Sequence, residues 1–216
     1  GLSGAAAGNY VIATTGNTPG TLTINPAALT WSVGNAISTY GTTATPGTVT
    51  LNGIVNSDSI TATPVITNNN VAVTLAPRTA AGIYQETVSG ISGANASNYV
   101  IATSGNTPGT LTINKAPLSW AVADATSTYG TLAALGTIKL NGLVGGDVVN
   151  ATTAVAQNGT PVTPAPRTPA GTYQETVTGI TGTDAANYVI ATSGNTPGIL
   201  TINKAPLSWA VVDDTS

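Results

Sequence analysis

The chain repeats itself with a period of 89 residues, in one register from end to end and without an insertion. Trp31, Trp120 and Trp209 fall one period apart, as do Tyr10, Tyr99 and Tyr188 in the phrase N-Y-V-I-A-T-[ST]-G-N-T-P-G. Of the 89 positions in 26–114, 54 are identical in 115–203. A register held this long marks a tandem array, in which each unit folds by the same rules. Four segments follow: 1–25 as the C-terminal part of a truncated repeat, 26–114 and 115–203 as full repeats, and 204–216 as the start of a further truncated one. Both ends fall inside a period, so the expectation is a piece of a longer array. A unit of 89 residues is small, but long enough to hold a core.

The residue types within one period point to β structure. Residues 118–122 alternate apolar with small or polar side chains, the pattern of a half-buried strand with Leu118, Trp120 and Val122 on one face. Residues 137–141 alternate again and run into Asn141-Gly142, a turn signal. Further strands are expected over 147–156, 172–180, 188–192 and 199–202, with 124–130 a polar turn and 161–169 a proline-rich loop. No stretch has a 3.6-residue apolar stripe. Six short strands with regular turn signals predict an all-β unit, an immunoglobulin-like sandwich first and a β-grasp sheet with one covering helix as the alternative. About three linker residues, including Pro117, join one unit to the next, which predicts a stiff rod.

Composition excludes several functions. Only 6% of residues are charged and five are cations, too few to neutralise a phosphate backbone, so nucleic acid is not an expected partner. No apolar run approaches the ~20 residues of a membrane-spanning helix. There is no Cys and no His, which removes disulfides, thiolate metal sites and the commonest general base. No paired carboxylates stand in for them, so an enzyme is not expected, nor a cofactor.

Certain spaced phrases carry a resemblance. They are Asn98-Tyr-Val-Ile-Ala, Gly109-Thr-Leu-Thr-Ile-Asn-Lys-Ala-Pro-Leu118 and Ser127-Thr-Tyr-Gly130, with Asn141-Gly-Leu-Val-Gly-Gly-Asp147 and Ala170-Gly-Thr-Tyr173 in keeping. Together they resemble the MBG domain of YGX type, found in very large bacterial surface adhesins, including filamentous-haemagglutinin-like exoproteins secreted by two-partner systems. Pro26 departs from the pattern, since Lys115 and Lys204 stand at the matching positions. The resemblance implies an extracellular, cell-surface stalk, spacer or fibre body, or a biofilm-matrix role. It supplies no catalytic residue. A Cys-free chain suits passage through an outer membrane unfolded. The partners to expect are neighbouring repeats of the same chain, then matrix polysaccharide, a host or cell-surface receptor, or other fibres.

The remaining candidates are weighed residue by residue. Arg78 and Glu86 are the sole Arg and Glu of their period and recur as Arg167 and Glu175. Glu175 shares strand parity with Tyr173 and Val177, so it points inward, and a covered carboxylate calls for a partner. A structural Arg–Glu ion pair is the expectation. The alternative is a weak sugar or receptor site in each repeat, with Tyr84 and Tyr173 stacking on the ligand. Trp31, Trp120 and Trp209 read as core anchors, Trp120 beside Leu118 and Val122. Lys115 and Lys204 raise an isopeptide crosslink, but Pro26 breaks the pattern and they read as solvated edge residues. Asp58, Asp124 and Asp147 read as turn residues, and Asp213 with Asp214 is too sparse for calcium. The sequons at Asn95, Asn150 and Asn158 do not recur in register.

Overall fold

The computed structural model describes residues 1–213. Each period forms eight strands. In the first they are β1 (Ala27–Val33), β2 (Ala36–Thr39), β3 (Val49–Asn52), β4 (Thr61–Asn68), β5 (Val71–Ala72), β6 (Gly82–Ser92), β7 (Tyr99–Ile101) and β8 (Gly109–Asn114). In the second they are β9 (Ala116–Val122), β10 (Ala125–Thr128), β11 (Ile138–Asn141), β12 (Asn150–Gln157), β13 (Thr160–Val162), β14 (Gly171–Thr181), β15 (Tyr188–Ile190) and β16 (Gly198–Asn203). The chain is all-β. Its helical residues are three single 3₁₀ turns among the described residues, so the covering helix of a β-grasp unit is absent from them.

Each period makes two sheets. The smaller has the order β3-β1-β7, repeated as β11-β9-β15; the larger has the order β2-β8-β6-β4-β5, repeated as β10-β16-β14-β12-β13. β1 runs antiparallel to β3 and parallel to β7. β2 runs parallel to β8, which is antiparallel to β6. The first two strands of a period therefore split between the sheets, each laid parallel to a strand late in the same period. β4 and β12 are each bulged against the long central strand, at Thr63/Pro64 and Thr152/Thr153. A bulge is where a sheet interior accepts proline.

Two strands per period were not expected from the sequence. β2 and β10 lie in the segment read as a polar turn, because an edge strand with one solvated side shows little alternation. β5 and β13 are too short to register as a pattern. β12 starts at Asn150, so Asp147 precedes it rather than opening it. At the junction β8 ends at Asn114 and β9 begins at Ala116. Lys115 alone separates them, less than the three linker residues expected.

Leu29, Trp31 and Val33 alternate inward along β1, as Leu118, Trp120 and Val122 do along β9. Trp31 and Val33 meet Val88 of the other sheet, with Val49, Leu51 and Ala62 around them. Trp120 and Val122 repeat this with Val177. Leu118, expected beside Trp120, belongs instead to a cluster that crosses the period boundary. That cluster joins Tyr40, Ala44, Ile66, Tyr84, Leu111 and Ile113 of the first repeat to Ala116, Leu118 and Tyr188 of the second. The two repeats thus share apolar cover and are not wholly separate cores.

Residues 1–25 and 204–213 take part in no sheet. Trp209 is accordingly 85% exposed, whereas Trp31 and Trp120 are buried. The correction has a plain cause: no strand flanks Trp209 as β3 and β7 flank β1. Among the described residues no helix is long and apolar enough to cross a membrane.

Candidate functional site

The polar groups of this chain converge at the joint between its two repeats. The first repeat brings Tyr40, at the end of β2, and Arg78, in the loop before β6. The second brings Asp147, in the loop before β12, and Tyr188, which opens β15. The Asp147 side chain is fully covered. Tyr40 Oη donates to Asp147 Oδ2 at 2.8 Å, and Tyr188 Oη donates to the same oxygen. Arg78 Nη2 lies 2.5 Å from Asp147 Oδ1 and 3.6 Å from an Asp184 oxygen. The Tyr40 and Tyr188 rings meet edge to face, centroids 5.3 Å apart. The Ala81 amide donates to Asn187 Oδ1 at 3.0 Å, a further bond across the boundary.

The electrostatics follow from that cover. Burial alone would raise the Asp147 carboxyl. The hydroxyls of Tyr188 and Tyr40 and the Arg78 charge outweigh it and hold the group below its ordinary value. Burial, and then the bond to Asp147, pushes the Tyr188 phenol up to about 12. A buried carboxylate is tolerated when charge and donors both reach it.

Local structure sets the geometry. Gly41, after Tyr40, has φ +98° and donates its amide to the Pro77 carbonyl at 2.9 Å, which ties the β2 turn to the loop bearing Arg78. A Cβ at Gly41 would stand 2.8 Å from Val144 Cγ2 of the second repeat. In the second repeat Gly130 has φ +99° and the same bond to Pro166, yet nothing lies within 4 Å of its Cβ position. Tyr40 is 3% exposed; its counterpart Tyr129 is 42% exposed. The difference is the second repeat itself. On the opposite face of the first repeat, Tyr99 Oη donates to Asp58 Oδ2 at 2.8 Å and accepts the Val55 amide at 3.1 Å. This matches Tyr188, Asp147 and the Val144 amide.

The candidate Arg–Glu pair is not what the structure contains. Arg78 reaches across to Asp147, and Arg167 is exposed at the far end of the second repeat. Glu86 and Glu175 do point inward, as strand parity required, and are fully buried. Each accepts a backbone amide instead of a guanidinium: Gly47 N to Glu86 Oε2 and Gly136 N to Glu175 Oε2, both 2.8 Å. That bond links the segment before β3 or β11 to the central strand of the larger sheet. Glycine is required there, since a Cβ at Gly47 would fall 1.8 Å from the Gly34 carbonyl oxygen. The second carboxyl oxygen of each glutamate has no partner.

Tyr84 and Tyr173, weighed as stacking residues, are buried, and their hydroxyls donate to the carbonyls of Ala80 and Pro169 at 2.7 Å. Neither ring is free to meet a sugar. Asp124 Oδ1 accepts the Ile199 amide at 2.8 Å, a turn role. Lys115 and Lys204 are exposed. Among the described residues no group of three or more acidic, His or Cys side chains is placed to hold a metal ion; Asp214 lies outside them. Sequence reasoning missed Tyr40 and Asp147 as partners. The signal that could have found them is the Tyr-Gly dipeptide, present once per period with no role inside its own strand pattern.

No family model, curated protein or solved structure matches this chain.

Proposed function

We propose that this chain is a structural segment of a large extracellular bacterial adhesin or biofilm-matrix protein, acting as stalk, spacer or fibre body, with no catalytic role. Its units are small immunoglobulin-like β-sandwiches of the YGX-type MBG class, strung as a rod on the bacterial cell surface. The observation that carries the reading is the joint. Tyr40, Arg78, Asp147 and Tyr188 lock one repeat on the next around a covered carboxylate, with one residue of linker between strands. An array whose units only carried separate binding sites would gain nothing from such a joint. A spacer gains a fixed angle and a fixed increment per unit.

Small-angle scattering on proteins of two, three and four repeats tests this. A rod adds a constant length per repeat, on the order of 30–40 Å if each unit is one long strand and a turn. A maximum dimension growing as the square root of repeat number describes flexible beads and ends the spacer reading.

A second reading, a multivalent binder of matrix polysaccharide or a surface receptor, draws on one observation. A shallow polar groove recurs in register beside the central strand, with Asn69 and Gln85 in one repeat and Asn158 and Gln174 in the other. Glycan-array binding that weakens on Gln85→Ala and Gln174→Ala supports it. The spacer reading expects no glycan signal.

A further inference from the structure

Two segments of each repeat lie side by side. Residues 27–40 run parallel to residues 99–114 in one advancing register. Ala27 stands beside Tyr99, Ser32 beside Thr107, Ala36 beside Leu111 and Thr39 beside Asn114. Both segments start in the smaller sheet and cross into the larger one together. At the crossing, Asn35 Oδ1 accepts the Thr110 amide at 2.9 Å. A Cβ at Gly109 would stand 2.6 Å from the Gly34 carbonyl oxygen, so glycine lets the two backbones meet there. The Thr107 amide donates to the Trp31 carbonyl and the Tyr40 amide to the Asn114 carbonyl, both at 2.9 Å. Asn106 Oδ1 accepts the Trp31 amide at 3.1 Å. The second repeat reproduces this, with Ala116 beside Tyr188, Ala121 beside Thr196, Ala125 beside Leu200 and Thr128 beside Asn203. Asn195 and Asp124 take the places of Asn106 and Asn35.

Parallel alignment sets the start of the first segment and the end of the second at opposite ends of the repeat. The chain enters a repeat at the former and leaves it at the latter, where β8 passes through Lys115 alone into β9. Tension along the array therefore draws the two segments past each other lengthwise. In that geometry the cross-links share the load and must yield together. Strands peeled from one end give way one bond at a time. We propose that each repeat is a load-bearing latch, held under tension by shear between 27–40 and 99–114, and in the second repeat between 116–129 and 188–203. The further function of the array is then to transmit pulling force without unravelling. This deepens the stalk reading above and rests on it, because only an anchored fibre carries tension. The force that opens such a latch is set by its unfolding barrier rather than by its equilibrium stability. Asn106 and Asn35, with Asn195 and Asp124 in the second repeat, act as positioning residues. They tie the two segments between the end of one sheet's parallel ladder and the start of the other's.

Pulling single molecules of the whole chain between paired cysteine handles tests the latch, since the chain has no cysteine of its own. Lys115→Cys with Lys204→Cys loads the second repeat in shear. Leu132→Cys with Lys204→Cys pulls on the same end of both segments and peels β10 from β16. The three sites are exposed, and melting curves check that each variant keeps the fold. At one loading rate, the shear pair should open in a single step, at a force several-fold above that of the peel pair. The 89 residues between its handles then reach on the order of 300 Å at full stretch. Asn195→Ala should lower the shear force and leave the peel force unchanged, since its bond to Trp120 lies beyond the strands peeled first. Equal forces in the two geometries overturn the latch, as does an Asn195→Ala loss of the same size in both. Latch and stalk fail separately: a chain that opens at one force in both geometries, yet lengthens linearly with repeat number in scattering, loses only the latch.

Discussion

Replacing Tyr40 and Tyr129 separately by alanine measures what one repeat does for the next. The two residues occupy the same position one period apart, follow the same strand and precede the same glycine turn. They differ in cover, Tyr40 being 3% exposed and Tyr129 42%. About two fifths of a tyrosine surface is thus hidden by the second repeat alone. For a side chain that buries ~200 Å², this is about 80 Å², worth about 2 kcal/mol at ~25 cal/mol/Å². The hydroxyl adds its bond to the covered Asp147 carboxylate, and bonds to charged groups contribute ~1.5–3 kcal/mol. Tyr40→Ala should therefore destabilise the chain by about 3–5 kcal/mol more than Tyr129→Ala does.

Urea unfolding followed by tryptophan fluorescence reads this directly. Trp31 reports the first repeat and Trp120 the second; Trp209→Phe, at an exposed site, removes the background. With a urea slope of ~1–3 kcal/mol/M, the extra loss appears as a midpoint lower by ~1–5 M. Both reporters should move in Tyr40→Ala, since the ring belongs to a cluster drawn from both repeats. Tyr40→Phe keeps the edge-to-face contact with Tyr188 and should recover the apolar part of the loss. Equal midpoints for Tyr40→Ala and Tyr129→Ala would refute the reasoning, because cover from the neighbour would then add no stability.

The joint should also respond to pH at both ends of the scale. The Asp147 carboxyl is held below its ordinary 3.8 in the folded chain, so its contribution is complete above that value and is lost as pH falls through and below it. The Tyr188 phenol is raised from 10.0 to about 12, so its contribution is complete below pH 10 and is lost as pH rises through 12. Melting temperatures from pH 2 to 12 should show both limbs, and Asp147→Asn should flatten the acid one. Gly41→Val and Gly130→Val share the strain of a positive φ, but only the first meets Val144, so it should be less stable by a further ~1–3 kcal/mol in chemical denaturation. Trp120→Ala should destabilise by ~3–5 kcal/mol on a melting curve, while Trp209→Ala should stay within ~0.5 kcal/mol.

The all-β character and the inward faces were legible because they are local. Alternation along 118–122 placed Leu118, Trp120 and Val122 on one side, and the parity of Glu175 with Tyr173 and Val177 sent it inward. The joint was not legible, and the period itself is the reason. A contact between Arg78 and Asp147 spans the boundary, yet in register it reads as Arg78 and Asp58, two residues of one unit. Periodicity reveals which positions matter and hides which copy holds the partner. Arg78 was therefore paired with Glu86, the nearest acid in its own unit. Trp209 has the same logic: its residue type matches Trp31 and Trp120, but burial is a property of the strands around it.

The distribution of charge ties these points together. Residues 26–114 contain three charged side chains, Asp58, Arg78 and Glu86, and all three recur in the second repeat. Each of the three is held by a partner, although Arg78 keeps 49% of its side chain in solvent. Glu86 is buried and holds the Gly47 amide. Arg78 is engaged with the next repeat, and Asp58 with Tyr99. The arginine of the first repeat finds its carboxylates, Asp147 and Asp184, on the second. Face-to-face mispairing would set two arginines, or two aspartates, together in a poorly solvated contact. The three charged positions common to both repeats thus give the joint a direction.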